Sequence, residues 1–148
     1  MKETKPSKDF ALIVSLSKQD FDVDEKIEAV IRFRNVSAKE QDYEGHGIIG
    51  KDYDYILECY EYLKHKNGGP PSPCRTTRYG EWLVQDRENH EIQKHFVGRL
   101  KPSKELMNTI SLSRQFDLTM PGSYQFVVKR LRNLEFIASD PIVFRVKG

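Results

Sequence analysis

Apolar residues fall on alternate positions through most of this chain. In "FALIVSLS" (10–17), Phe10, Leu12, Val14 and Leu16 share one side. In "IEAVIRFR" (27–34), Ile27, Ala29, Ile31 and Phe33 point one way, and Glu28, Arg32 and Arg34 the other. A period of two marks a strand with one face on a core and one in water. "YDYILECYEYL" (53–63) repeats it, with Tyr53, Tyr55, Leu57 and Cys59 opposite Asp54, Ile56, Glu58 and Tyr60. Three more strands are predicted near the end. Leu106, Ile110 and Leu112 share a face after a turn at Lys101-Pro102-Ser103-Lys104. Tyr124, Phe126 and Val128 share another in "GSYQFVVKRLRN", and Ile142, Phe144 and Val146 a third in "SDPIVFRV".

The stretches between are turn-like. "QDFDVDEK" (19–26) is a charged turn, and "NVSAKE" (35–40) ends the strand before it. "QDYEGHGIIGKD" (41–52) reads as a loop or short irregular strand. "KHKNGGPPSP" (64–73) is too rich in Gly and Pro for a helix or central strand. "EWLVQD" (81–86) reads as a short strand, and "RENHEIQKHFVG" (87–98) as a helical turn or long loop. No long amphipathic helix is predicted. About seven or eight regularly spaced strands predict an all-β sandwich or barrel with a long central insertion, and the organisation of 41–98 stays open. Residues 1–9 read as a flexible N-terminal segment and 10–148 as a single domain.

"FDLTMPGSYQF" (116–126) narrows the fold class. Pro121 presets φ for a tight turn and Gly122 supplies freedom in φ. Tyr124 then leads the next inward face. That is the pattern of a tyrosine corner, in which the Tyr hydroxyl bonds back to the backbone just upstream. The expectation is therefore an immunoglobulin-like antiparallel β-sandwich. The stretch "LKPSKELMNTISLSRQFDLTMPGSYQFVVKR" also resembles the end of an immunoglobulin-like module of secreted bacterial proteins. It is similar to the sandwich beside deuterolysin-like metallopeptidase domains. Leu100, Pro102, Ile110, Leu112, Ser113, Phe116, Asp117, Leu118, Pro121, Gly122 and Tyr124 stand at matching places. Ser103-Lys104 departs from the usual Gly-Glu, and Phe116 from the usual Tyr. About half the chain is covered, and the middle is unmatched. The resemblance implies the fold and a secreted, periplasmic or cell-surface setting. It transfers no peptidase chemistry, because no H-E-x-x-H is present.

Composition adds limits. Twenty-four basic and 22 acidic residues leave a net charge of +2, which argues against a nucleic-acid binder. The first sixty residues are net acidic and the remainder net basic. No apolar run is long enough for a membrane helix. The polar start "MKETKPSKDF" has no apolar signal core, which leaves a cytoplasmic setting open beside a secreted one. Cys59 and Cys74 stand fifteen positions apart as a candidate disulfide, whose loop closure would stabilise by ~3 kcal/mol. Two free thiols are the other reading.

Catalytic signatures are missing. No G-x-S-x-G elbow, P-loop or G-x-G-x-x-G occurs, and neither cysteine has a thiol-protease context. His90 and His95 are poorly spaced for two ligands on one helix face, and His46 and His65 lie apart from them. "DFDVDEK" lacks the Gly and distant Glu of an EF-hand. The expectation is no enzyme, no metal and no cofactor. Asn35-Val36-Ser37 is a glycosylation sequon that also fits a strand end. Binding is the better prospect. Arg75, Arg78, Tyr79 and Trp82 follow the Pro-rich loop, and Tyr, Trp and Arg anchor interfaces. The leading expectation is a non-catalytic module that recognises a protein partner through its loops. A second is a β-sandwich protease inhibitor presenting "NGGPPSPC", since the N-x-S and late P-G-x-Y pattern is similar to the intracellular proteinase-inhibitor type. A third is carbohydrate binding on Tyr79 and Trp82.

Overall fold

The alternation of the sequence is realised in two antiparallel sheets that share one core. The computed structural model describes residues 9–46, 51–62, 71–89 and 95–148. The first part of the chain runs β1 (Phe10–Leu16), β2 (Asp20–Asp22), β3 (Glu28–Asn35), β4 (Gln41–His46) and a helical turn, α1 (Lys51–Asp54). The middle runs β5 (Ile56–Glu61), β6 (Ser72–Pro73), helix α2 (Arg78–Asn89) and β7 (His95–Leu100). The last part runs β8 (Glu105–Ser111), the short helix α3 (Leu112–Gln115), β9 (Gly122–Arg132), β10 (Glu135–Ala138) and β11 (Ile142–Lys147).

One sheet has the order β1-β3-β8. The other runs β2-β11-β9-β5-β6, with β10 also paired to β9. Every pairing is antiparallel except β2 with β11. With β1, β3 and β8 as strands A, B and E, and β5, β9 and β11 as C, F and G, the arrangement is an immunoglobulin-like sandwich. Strand β5 thus belongs to the sandwich itself, but it starts only at Ile56, because the first residues of the strand expected over 53–63 lie in and just after α1. The remaining pair, β4 with β7, is a separate ribbon.

The inward faces meet as the period of two requires. Ala29, Ile31 and Phe33 of β3 are fully buried, and so are Tyr124, Phe126 and Val128 of β9. Phe10 stacks on Phe33 with ring centres 4.3 Å apart. Phe144 stacks on Tyr124 at 5.4 Å and meets Phe21 and Phe126 edge to face at 6.0 Å. Fully burying one such aliphatic or Phe side chain is worth ~1.5–3 kcal/mol.

Turn chemistry closes the sheets. Gly122 has φ 142° after Pro121, a conformation closed to most side chains. The Tyr124 hydroxyl then donates to the carbonyl of Met120, four residues upstream. Ser103 has φ 68° in the turn where Lys104 N–H donates to Lys101 O. A type II turn prefers Gly there, which is why the Ser in place of Gly carries strain. Asn133 and Leu134, at φ 50° and 66°, join β9 to β10. Asn35 is fully buried, donating to the carbonyls of Lys39 and Leu100 while its oxygen accepts from Ser37. The sequon is therefore closed to glycosylation in the folded chain.

Three expectations need correction. Residues 81–86 are not a strand: they lie inside the twelve-residue α2. The strand expected through Leu112 stops at Ser111, where Ser111 caps α3 by accepting from Arg114 N–H. Residues 41–46 are a regular strand, because β7 pairs with them from Gln41↔Leu100 to His46↔His95.

Leu134→Gly relieves a left-handed Leu that is 79% exposed, and is expected to raise unfolding free energy by about 1 kcal/mol. Ser103→Gly should give a smaller gain. Tyr124→Phe leaves the Met120 carbonyl without its donor, and is expected to lower stability by about 1–3 kcal/mol. Urea titrations with unchanged slope check all three, and a neutral Tyr124→Phe would show that the corner does not hold the β9 turn.

Candidate functional site

Helix α2 brings together most of the residues singled out as a binding surface. It starts at Thr77, whose hydroxyl oxygen accepts from Gly80 N–H at 3.0 Å and whose carbonyl accepts from Glu81 N–H at 2.9 Å. This is ordinary N-capping by Thr. Glu81 in the first turn suits the positive end of the helix dipole. The same Thr77 hydroxyl donates to Arg114 O at 2.5 Å, which ties the cap to α3. Gly80 is required at the crossing: a Cβ there would stand 2.2 Å from the Gln115 carbonyl oxygen. Gly80 and Leu83 are buried, whereas Glu81, Trp82, Val84 and Gln85 are exposed.

The outer face carries an aromatic and charged cluster. Trp82 is 47% exposed. Its ring meets Tyr53 edge to face at 6.4 Å and lies tilted against Tyr79 at 5.8 Å. Tyr53 is buried, so the indole rests on a fixed base. The Tyr79 hydroxyl makes a short hydrogen bond to Asp52 Oδ2, and the Arg114 guanidinium lies over the Tyr79 ring at 4.0 Å. Burial, then the bond to the Asp52 carboxylate and its charge, push the Tyr79 hydroxyl up to about 12. Tyr79 is therefore a neutral donor at any physiological pH, locked to α1.

The other expected residues are placed as follows. Arg78 opens α2 and is exposed, four residues before Trp82 and so on its face. Arg75 precedes the cap beside Asp117, whose N–H donates to Arg75 O at 2.8 Å. Asp52 and Arg114 carry no signal of a site in the sequence, and Tyr53, expected in the strand 53–63, lies in α1 instead. They come from α1 and α3, and no local pattern links them to 78–82. The helix itself had a signal, Thr77 followed by Gly80, Leu83 and Arg87 at helical spacing, which the β-favouring Trp82 and Val84 concealed.

Cys59 and Cys74 face each other across β5 and the residue after β6. Cys74 N–H donates to Cys59 O at 3.0 Å, and the sulfurs lie 3.2 Å apart as buried thiols. The adjacent Cys74 thiol, then burial, hold the Cys59 thiol far above its ordinary range. The loop residues 63–70, which hold most of "NGGPPSPC", lie outside the described residues. His65 and His90 do too. Among the described residues no group of three or more His, Cys, Asp or Glu could hold a metal ion. No helix among them is long and apolar enough to cross a membrane.

No family model matches the sequence, and no curated protein matches it. Solved structures give weak likenesses. A β-glucosidase from Listeria innocua in complex with isofagomine is 12% identical, with a TM-score of 0.46 over 94% of this chain and 16% of that one. A β-glucosidase from Erythrobacter marinus is 9% identical, with a TM-score of 0.45 over 93% and 15%. The chain thus spans about one sixth of the proteins it matches, and at these scores neither likeness bears on its function.

The thiol pair generates a pH prediction. The folded protein keeps the Cys59 proton above pH ~8.5, where an unfolded chain loses it. The raised value therefore contributes stability in full below pH ~8.5 and loses it as pH rises further. In reducing buffer the urea midpoint should fall between pH 8 and pH 10. Iodoacetamide should label the native thiols at least about 100-fold more slowly than the unfolded ones at pH 8.5. Native labelling as fast as unfolded labelling would show that β5 and β6 part readily.

Proposed function

We propose that the chain is a non-catalytic binding module, and that it recognises an acidic protein partner through the outer face of α2. The observation that carries this is Trp82, half exposed yet held from beneath by Tyr53 and Tyr79. A large aromatic surface already fixed in place loses little entropy when a partner covers it. Trp, Tyr and Arg are also the residue types that dominate binding energies. Arg78 and Arg114 stand exposed around it, with Glu81 exposed in the same turns and Arg114 paired with the Asp52 carboxylate at 4.0 Å. The exposed guanidinium of Arg78 beside the indole favours a partner that offers a carboxylate, with steering that weakens as salt rises. The secreted or surface setting implied by the resemblance is part of the same proposal.

Trp82 is the only tryptophan, so its fluorescence reports the contact directly. Immobilised wild-type domain is expected to retain an acidic protein from bacterial culture extracts, with a shift in Trp82 emission on rebinding. Trp82→Ala and Arg78→Glu, both folded by circular dichroism, should each weaken that binding at least about tenfold. Retention unchanged in both variants removes this surface. A retained protease that the domain inhibits equally well with Trp82→Ala would favour the inhibitor reading. Glycan-array binding lost with Trp82→Ala would favour the carbohydrate one.

A further inference from the structure

The inner face of α2 covers a cavity of about 230 Å³ against β5 and β6. Ile56, Leu57, Val84 and Phe116 give it apolar walls. Two polar side chains interrupt that lining. Arg87 and Gln115 both border the cavity, and Arg87 Nε and Gln115 Nε2 are buried without a hydrogen-bond partner. Gln115 is only 4% exposed. Arg87 is already fixed, because its Nη2 donates to the carbonyls of Asp52 at 2.6 Å and Tyr55 at 3.1 Å. A buried donor left unmatched costs about 1–3 kcal/mol, so two at one cavity call for an acceptor. Burial lowers the Arg87 pKa, the direction expected of a cation short of a counter-charge. The lining holds one carboxylate, Glu58, and Lys129 Nζ engages it at 3.0 Å.

We propose that this cavity binds a small carboxylate with an apolar body. One carboxylate oxygen accepts from Arg87 Nε–H and the other from the Gln115 amide, while the body lies against Leu57, Val84 and Phe116. The charge of Arg87 is then met inside the cavity rather than across α1. Size sets the limit on the ligand. A cavity of roughly 150 Å³ already admits benzene, so this one takes a ring of that size together with its carboxylate. The proposal is independent of the partner surface on the outer face.

The test is a titration of the ¹⁵N-labelled full chain with benzoate, followed by amide shifts and by melting temperature. Saturable shifts around Leu57, Val84 and Phe116 with a rise in melting temperature are expected. Gln115→Met keeps the side-chain length and removes the buried donor. It should fold with at least wild-type stability and bind benzoate about tenfold more weakly. Arg87→Gln should abolish binding, and if that variant does not fold, Gln115→Met decides. No saturable shift up to about 10 mM benzoate overturns the proposal. So does benzene binding as tightly as benzoate, or undiminished affinity in Gln115→Met.

Discussion

A buried cation joins the sandwich to its elaborate middle. Arg130 is 3% exposed at the far end of β9, and its guanidinium lies over the rings of Phe33, Tyr55 and Tyr43 at 4.5, 4.9 and 5.7 Å. Nη2 donates to the carbonyl of Glu44 at 2.6 Å. Removing a cation from water costs several kcal/mol, and ring faces with a carbonyl return part of that only where all are in place. The contacts come from three places in the chain: Phe33 from β3, Tyr55 from the residue just before β5, and Tyr43 and Glu44 from β4. The guanidinium therefore cannot be satisfied unless the ribbon folds onto the sandwich.

The period of two explains how it comes to be there. Tyr124, Phe126 and Val128 fill the core from β9, and the same face continues as Arg130 and Arg132. Where the strand leaves the apolar interior, its inward face turns cationic. Arg132 reaches Asp9 at 2.9 Å, the Asp42 carbonyl at 3.0 Å and Gln41 at 3.0 Å. Two arginines on one strand thus fasten both the start of β1 and the start of β4. Within the ribbon, the ring of Tyr43 lies so close over its cross-strand partner Gly98 that a Cβ there would come within 2.4 Å of it.

These contacts also show why the sequence was readable in some places and opaque in others. Strands β1, β3, β9 and β11 bury alternate apolar residues, so burial and local pattern agree. Strand β4, "QDYEGH", carries one large apolar side chain, Tyr43, and its pairing, from Gln41↔Leu100 to His46↔His95, depends on residues far away in the sequence. Helix α2 failed for a different reason. Its Trp82 and Val84 favour strands locally, and it is held as a helix by the Thr77 cap and by Gly80 against Gln115, a contact no window of sequence contains. Tyr79, Trp82 and Arg78 could be picked out by residue type alone. Asp52, Arg114 and Gln115 could not, because their roles arise only where α1, α2 and α3 meet.

That meeting point gives α2 two distinct faces. Trp82 and Arg78 look outward, whereas Gly80, Leu83 and Arg87 look toward the sheet. Asp52 touches both: its carboxylate accepts from Tyr79 beside Trp82, and its carbonyl accepts from Arg87 beside the cavity. The spacing of Tyr79 and Arg87, eight residues or just over two turns, lets a single α1 residue clamp both ends of the helix. The clamp is polar where the sandwich core is apolar. The position of α2 against α1 and α3 therefore rests in part on a few directional bonds, and the chemistry around Arg87 and Tyr79 bears on how firmly the Trp82 face is presented.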